Sequence, residues 1–182
     1  MAYVQSTYGL GSTSVSAIGS ARVSATPYKG AAHTVETIRK TVNIDRKNPQ
    51  SRAVAEDVIK GLYAKDYLSE AAAIYYAYCR GVRYTRDPAT IELVKDLEVV
   101  SKTKQSDCDE STSTLGTLIS AIGIGATQFV TVGFRSNTQS HVFLRFPDPR
   151  GSGRFVVLDP VAGPTTATML RRVKAHKVYE GF

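Results

Sequence analysis

The architecture of this chain is best read outward from the run Ser106-Asp107-Cys108-Asp109-Glu110. Beyond this run, apolar side chains recur at spacings of three and four residues, which predicts a helix. These side chains are Leu115, Leu118, Ile119 and Ile122, and Gly123 stands where a helix commonly ends. The first backbone N–H groups of a helix are unpaired and carry partial positive charge, so they favour a thiolate and can hold an oxyanion. We therefore predict that Cys108 opens a helix, where its thiol can become a nucleophile.

Three apolar runs that follow this helix predict β-strands, over residues 128–134, 141–146 and 155–158. The second run alternates, with Val142, Leu144 and Phe146 on one face and His141, Phe143 and Arg145 on the other. The third run ends at Asp159-Pro160, where the proline cannot continue a ladder of backbone hydrogen bonds. A carboxylate at the end of one strand can meet an imidazole at the start of a neighbouring strand. We therefore expect Cys108, His141 and Asp159 to converge.

A cysteine, a histidine and an aspartate in this order are suited to nucleophilic catalysis. The thiolate of Cys108 would attack the amide carbonyl of a glutamine side chain or peptide bond in a protein or peptide substrate. His141 would act as base and then acid, and Asp159 would orient the imidazole. The resulting thioester could pass to water or to an amine, and the same residues serve both reactions. Three neighbouring acids oppose the thiolate, so His141 has to outweigh Asp107, Asp109 and Glu110.

Four motifs in this chain resemble those of a known family. They are Val82-Arg83-Tyr84 with Asp87-Pro88, Asp107-Cys108-Asp109-Glu110, Ser140-His141-Val142, and Val157-Leu158-Asp159-Pro160. In this order they resemble the transglutaminase-like superfamily, whose core shares the papain arrangement of a helix with Cys packed on a sheet with His and Asp. The resemblance covers residues 65–162. It implies an α+β fold with helices packed on an antiparallel sheet, a catalytic Cys108, His141 and Asp159, and no cofactor.

The composition suggests one folded domain with two distinct ends. The apolar fraction of 42% is ordinary for a globular protein of 182 residues. Residues 1–30 are rich in Gly, Ser, Ala and Thr and predict an extended arm, residues 31–162 form the predicted domain, and residues 163–182 form a basic tail. The two ends carry most of the net charge of +7. Within the domain, periodicity predicts helices over residues 34–42 and 51–62, and a third one that Ser69 would cap.

The arm and tail leave a second hypothesis open, in which the chain is a structural subunit. In that case the fold would serve as a catalytically idle docking block, and residues 1–30 and 163–182 would contact protein partners or other copies of the chain. Members of the resembled superfamily also occur among proteins of tailed bacteriophages, which makes a virion one plausible setting. For the basic ends, a solvated surface is favoured over nucleic-acid binding because no aromatic and basic platform accompanies them.

Several other classes of protein are disfavoured by the sequence. No stretch of 18 consecutive apolar residues and no export signal is found, so we expect synthesis in the cytoplasm without membrane insertion. Neither His33 nor His176 has partners at metal-ligand spacing, and the acids beside Cys108 lack the pattern of an EF-hand, so no metal is expected.

For Cys79 and for a cluster of three tyrosines, we expect a structural role rather than a catalytic one. Cys79 is expected to be a buried, inert thiol, since two cysteines are too few for a disulfide framework. A bridge between Cys79 and Cys108 would block the nucleophile. The tyrosines at positions 75, 76 and 78 are expected to pack in the core, although they could line a cleft.

Overall fold

The computed structural model describes residues 22–27, 29–88, 91–135, 138–161 and 171–182. These residues form five helices, which are α1 (Ala31–Asp45), α2 (Pro49–Ile59), α3 (Tyr67–Gly81), α4 (Leu97–Thr103) and α5 (Cys108–Ala121). They also form eight strands, which are β1 (Val23–Pro27), β2 (Arg83–Tyr84), β3 (Ile91–Lys95), β4 (Gln105–Ser106), β5 (Gln128–Gly133), β6 (His141–Pro147), β7 (Phe155–Leu158) and β8 (Ala175–Glu180). None of the helices in these described ranges is both long enough and apolar enough to cross a bilayer.

The main sheet has four antiparallel strands in the order β7-β6-β5-β8. Two smaller sheets accompany it, one antiparallel between β1 and β3 and one parallel between β2 and β4. Helices pack against one face of the main sheet. The protein therefore has the α+β class that the sequence predicts.

Strand β6 shows how this sheet divides two apolar clusters. Val142, Leu144 and Phe146 lie in the large core shared with the helices, as their alternation predicts. Phe143 points to the other face, where it packs with Val130 and Val132 in a small second cluster. The predicted alternation of faces is confirmed.

Helix α5 lies at the centre of the core, between α1 and the main sheet. Every residue from Asp109 to Ile119 is buried. The close approach is visible at Gly116, where an added Cβ would lie 3.3 Å from a methyl group of Val42 on α1 and 3.5 Å from the ring of Phe129 on β5. A side chain at this position would have to push these two elements apart, so the glycine lets α5 sit deep between them.

Both ends of the described chain take part in the fold. Strand β1 lies within the predicted arm and pairs with β3, and strand β8 lies within the predicted tail and pairs with β5. The terminal Phe182 packs edge-on against Phe129 at 6.2 Å, and the guanidinium of Arg46 lies 4.6 Å over its ring. Most of the arm and residues 162–170 lie outside the described residues. The predicted partner contacts and virion setting stay predictions.

Two local expectations about α3 are wrong. The helix begins earlier than predicted, and its cap is Asp66, whose side chain accepts a hydrogen bond from the backbone N–H of Ser69. Cys79 is exposed rather than buried, because it lies on the outer side of the last turn. Both cysteines are free thiols, so the bridge that would block Cys108 does not form.

Candidate active site

Cys108 is the first residue of α5, as predicted, and its position is fixed by a capping box. The Asp107 carboxylate accepts hydrogen bonds from the backbone N–H groups of Asp109 at 2.9 Å and Glu110 at 3.4 Å. The Glu110 carboxylate in turn accepts from the N–H of Asp107 at 2.7 Å. Because the cap uses the Asp109 and Glu110 N–H groups, these two donors are already engaged when a substrate arrives.

His141 and Asp159 meet at the edge of the sheet where β6 begins and β7 ends. The Nε2 atom of His141 lies 2.9 Å from Oδ2 of Asp159, and the two side chains are 8% and 1% exposed. The other carboxylate oxygen accepts from the N–H of Val161 at 3.1 Å. An ionised carboxylate only accepts hydrogen bonds, so Nε2 of a neutral ring must carry the hydrogen. Nδ1 is then the atom that can take a proton from a thiol.

Cys108 and His141 line the same cleft, which has a volume of about 940 Å³. The N–H of Val142, the residue after His141, hydrogen-bonds to the Cys108 sulfur. The Thr112 hydroxyl lies 2.7 Å from the carbonyl oxygen of Cys108 and 3.2 Å from that of Val142. These contacts join the first turn of α5 to the start of β6. The three residues predicted from the sequence therefore meet at one cleft, with Asp159 behind His141.

The thiol of Cys108 is held in its neutral form in the resting protein. Burial raises the pKa of Cys108 well above its usual value, and the neighbouring Asp109 and Asp107 raise it further. The thiol donates to Oδ1 of Asp109 over 3.4 Å. The N–H of Val142 acts in the opposite sense, since a donor at the sulfur favours the thiolate. Formation of the nucleophile therefore needs an added base.

The acids around the thiol are themselves perturbed by burial. Burial and a hydrogen bond to Glu92 raise the pKa of Asp109 well above its usual value. Burial, followed by the nearby Asp87, raises the pKa of Asp107 to about 6. Burial and Asp107 raise the pKa of Glu110 to about 8, although Lys95 lies 2.6 Å from this carboxylate and opposes the shift. The negative charge that opposes a thiolate is smaller than the sequence alone suggests.

Two groups of side chains could in principle hold a cation. One contains Asp107, Cys108 and Asp109, and the other contains Asp87, Asp107 and Glu110, each with ligand atoms within 4.8 Å of one another. The carboxylates of Asp107 and Glu110 already cap α5, and that of Glu110 also pairs with Lys95. These partners already balance the carboxylates of Asp107 and Glu110, and the absence of a metal stays a prediction.

The sequence does not distinguish the roles of the three tyrosines on α3, one of which lies at the site. The Tyr75 hydroxyl donates to the backbone carbonyl of Asp159 at 3.0 Å, so this tyrosine fixes the main chain at Asp159 rather than only packing. Tyr78 is buried as expected and bonds to Ser106 and Ser111, whereas Tyr76 is 62% exposed. The three neighbouring tyrosines were a visible cluster, but only the packing of α3 on the sheet separates their roles.

Comparisons with known proteins place the fold but not the family. No family model and no curated protein matches the chain. One solved structure, "a putative protease" from Parabacteroides distasonis ATCC 8503, superposes with a TM-score of 0.56 at 16% sequence identity. The match covers 84% of this chain and 30% of that one, so the chain spans under a third of that protein's length. A similarity at this identity shows a shared fold, and it is compatible with a papain-like arrangement.

Proposed function

We propose that this chain is a cysteine-nucleophile enzyme of the transglutaminase-like type that hydrolyses or transfers acyl groups of amide substrates. Cys108 is the nucleophile, His141 the base and acid, and Asp159 the orienting carboxylate. The observation that carries the proposal is the His141–Asp159 hydrogen bond of 2.9 Å beside a cleft that also holds the Cys108 thiol. Cys108 begins α5 on the same cleft as His141, which is the arrangement that a nucleophile and its base require.

The chemistry follows from the hydrogen bonds at the site. His141 Nδ1 takes the thiol proton, and the thiolate attacks the carbonyl carbon of the substrate. The carbonyl π electrons move to oxygen and return when the amine leaves, with the proton now on His141 going to that amine. Water or a second amine then attacks the thioester and frees Cys108. Asp159 stabilises the imidazolium throughout, because it accepts from Nε2.

The proposal covers two reactions of the same thioester, hydrolysis by water and acyl transfer to an amine. The structural neighbour is described as "a putative protease", and proteolysis by this chain would use water as the acceptor. The motifs that resemble the transglutaminase-like superfamily support transfer to an amine equally well. The acceptor that dominates depends on how far the cleft excludes water once a substrate is bound.

The test is site-resolved labelling with a thiol-directed acylating probe. The wild type should be acylated at Cys108, Cys108→Ala should lose this adduct, and Cys79→Ala should keep it, as read by mass spectrometry of peptides. Cys79→Ala is the matched control because Cys79 is the more exposed of the two thiols. Acylation of Cys79 alone, or none at all, would contradict the proposal, provided that the melting temperatures of the variants agree.

A further inference from the structure

Tyr84 lines the cleft from strand β2, whereas His141 lines it from strand β6. Tyr84 is the last residue of β2, it is 45% exposed, and its side chain lines the cleft together with Cys108. The preceding Arg83 faces away and lines a separate cavity, as expected for neighbours on a strand. The phenol of Tyr84 is therefore part of the wall that a substrate meets beside the thiol.

The backbone holds Tyr84 in a fixed position relative to the nucleophile. Tyr84 pairs with Ser106, two residues before Cys108, in the parallel sheet of β2 and β4. Backbone hydrogen bonds flank this pair, from the N–H of Arg83 to Lys104 at 2.9 Å and from the N–H of Thr85 to Ser106 at 2.8 Å. Ser106 is itself anchored, since its buried hydroxyl lies 2.6 Å from that of Tyr78. A donor at Tyr84 is thus preorganised.

The hydrogen-bonding state of the phenol suits a donor. The Arg86 guanidinium lies near the Tyr84 phenol and, against the larger effect of burial, acts to lower its pKa. A guanidinium can only donate hydrogen bonds, so the phenol hydrogen can point to another acceptor. Burial, followed by the proximity of Cys108, raises the pKa of Tyr84, which keeps the phenol protonated near neutral pH. A cation at the oxygen also polarises the O–H bond and strengthens it as a donor.

Other donors at the cleft are already engaged. The hydroxyls of Thr34, Thr131 and Thr138 lie at hydrogen-bond distance from oxygens of Glu92, Gln139 and Arg135. The N–H groups of Asp109 and Glu110 serve the Asp107 cap. Because these two N–H groups are engaged, an oxyanion that forms beside Cys108 gains from a donor outside the first turn of α5, in addition to the N–H of Cys108 itself.

We propose that the Tyr84 hydroxyl is a catalytic residue that hydrogen-bonds to the oxyanion formed when Cys108 attacks an acyl carbonyl. This inference rests on the proposed function and adds a residue to it. When the sulfur–carbon bond forms, the π electrons of the carbonyl move to its oxygen, and the phenol donates a hydrogen bond to that oxygen without giving up its proton. The interaction is stronger in the tetrahedral state than with the neutral carbonyl, which is what accelerates the step.

Two reactions of the same thiol separate this role from a general effect on reactivity. Acylation by p-nitrophenyl acetate passes through a tetrahedral oxyanion, whereas alkylation by iodoacetamide is a direct displacement without one. In a Cys79→Ala background, Tyr84→Phe should slow acylation of Cys108 on the order of 100-fold. The same variant should leave alkylation of Cys108 unchanged. Tyr76→Phe is the control, since this exposed tyrosine lies on α3 and does not line the cleft.

Each outcome is informative about a different claim. If Tyr84→Phe is acylated as fast as the parent, the Tyr84 proposal is wrong and the proposed function stands. If acylation and alkylation slow equally, Tyr84 acts on the thiol and the oxyanion role is again wrong. If the parent is not acylated at all, the proposed function itself fails, and the role of Tyr84 fails with it. Thermal melting of both tyrosine variants shows whether the fold is intact.

Discussion

Helices α3 and α5 have similar length and the same type of cap, yet they present their cysteines in opposite ways. Each is capped by an aspartate, Asp66 for α3 and Asp107 for α5, and each carries one free thiol. Cys108 stands at the first residue of α5, whereas Cys79 stands in the last turn of α3. The start of a helix favours a thiolate and its end disfavours one. Only the thiol at the start also has a histidine in its cleft.

The same two helices show how burial reverses the behaviour of a cap. Asp66 is exposed, and hydrogen bonds from Ser69 lower its pKa. Asp107 is buried, and its pKa rises to about 6 although it accepts bonds of the same kind. Burial also raises the pKa of both thiols, so a raised pKa does not by itself mark the reactive one. The partners across the cleft distinguish Cys108 from Cys79.

The largest expected effect is on acylation of Cys108 in His141→Ala. Loss of the base should slow acylation on the order of 1000-fold, because the thiol is neutral at rest and nothing else in the proposed step removes its proton. Alkylation of Cys79 in the same protein should be unchanged, and peptide-resolved mass spectrometry measures both. Equal acylation of Cys108 with and without the imidazole would remove the distinction between the two helices.

The two caps should give pH dependences of stability with opposite signs. The folded state raises the pKa of Asp107 from 3.8 to about 6, so it binds the proton more tightly than the unfolded state does. The contribution of Asp107 to stability therefore falls as pH rises from about 4 to about 6. The lowered pKa of Asp66 gives the reverse, a contribution present above pH 4 that is lost as pH falls.

Urea unfolding across this pH range measures both effects. Asn is as good a cap as Asp, so Asp107→Asn and Asp66→Asn remove the charge without removing the cap. We expect Asp107→Asn to gain stability relative to the wild type above pH 6, and Asp66→Asn not to gain. The same slope with pH for both variants would mean that burial does not separate the two caps.

A third expectation concerns the thiol itself. Asp109→Asn should lower the pKa of Cys108, because the carboxylate of Asp109, once ionised, disfavours the thiolate, whereas Asn is never charged and keeps an oxygen for the S–H group. The pH profile of iodoacetamide alkylation, resolved by residue, should shift to lower pH for Cys108 and stay in place for Cys79. A shift to higher pH would show that the Asp109 carboxylate acts as a base for the thiol.

The smallest expected effect is on stability within α5. Thr112→Val should destabilise the protein by about 1 kcal/mol, because the hydroxyl that joins Cys108 to Val142 is lost. Thr117 is the control on the same helix, since it is equally buried and its hydroxyl has no hydrogen-bond partner within the described ranges. Thr117→Val should leave stability unchanged or raise it. Equal losses in urea unfolding would show that the Thr112 bridge is not specific.

Elements with strong local patterns could be predicted from the sequence. The predicted strands over residues 128–134, 141–146 and 155–158 differ from the observed ones by at most one residue at either end. The faces predicted for β6 are also correct, because alternation depends only on neighbouring residues. Strands β1 and β8 could not be found in this way, since each depends on a partner that is distant along the chain.

The wrong expectations about α3 and the residues missed at the site have a common physical cause. Cys79 lies on a helix rich in apolar residues, but the part of that helix that faces the core is set by how α3 packs. Ser69 and Asp66 are both good caps, and the choice between them depends on where the first turn closes. Tyr75 bonds to Asp159, Thr112 to Val142 and Tyr84 lines the cleft with Cys108, and no local pattern encodes these long-range placements.

The sequence alone determined the helix that follows Cys108, the alternating strand that begins at His141 and the end of a strand at Asp159. Each of these features depends only on residues that are close along the chain. Tertiary structure alone decided that the His141 imidazole would meet the Asp159 carboxylate, that Asp109 would take the resting S–H bond, and that Tyr84 would line the same cleft as the thiol. Hydrogen bonds and pKa values depend on distance and burial in three dimensions. Distance and burial are fixed only when the helices pack on the sheet.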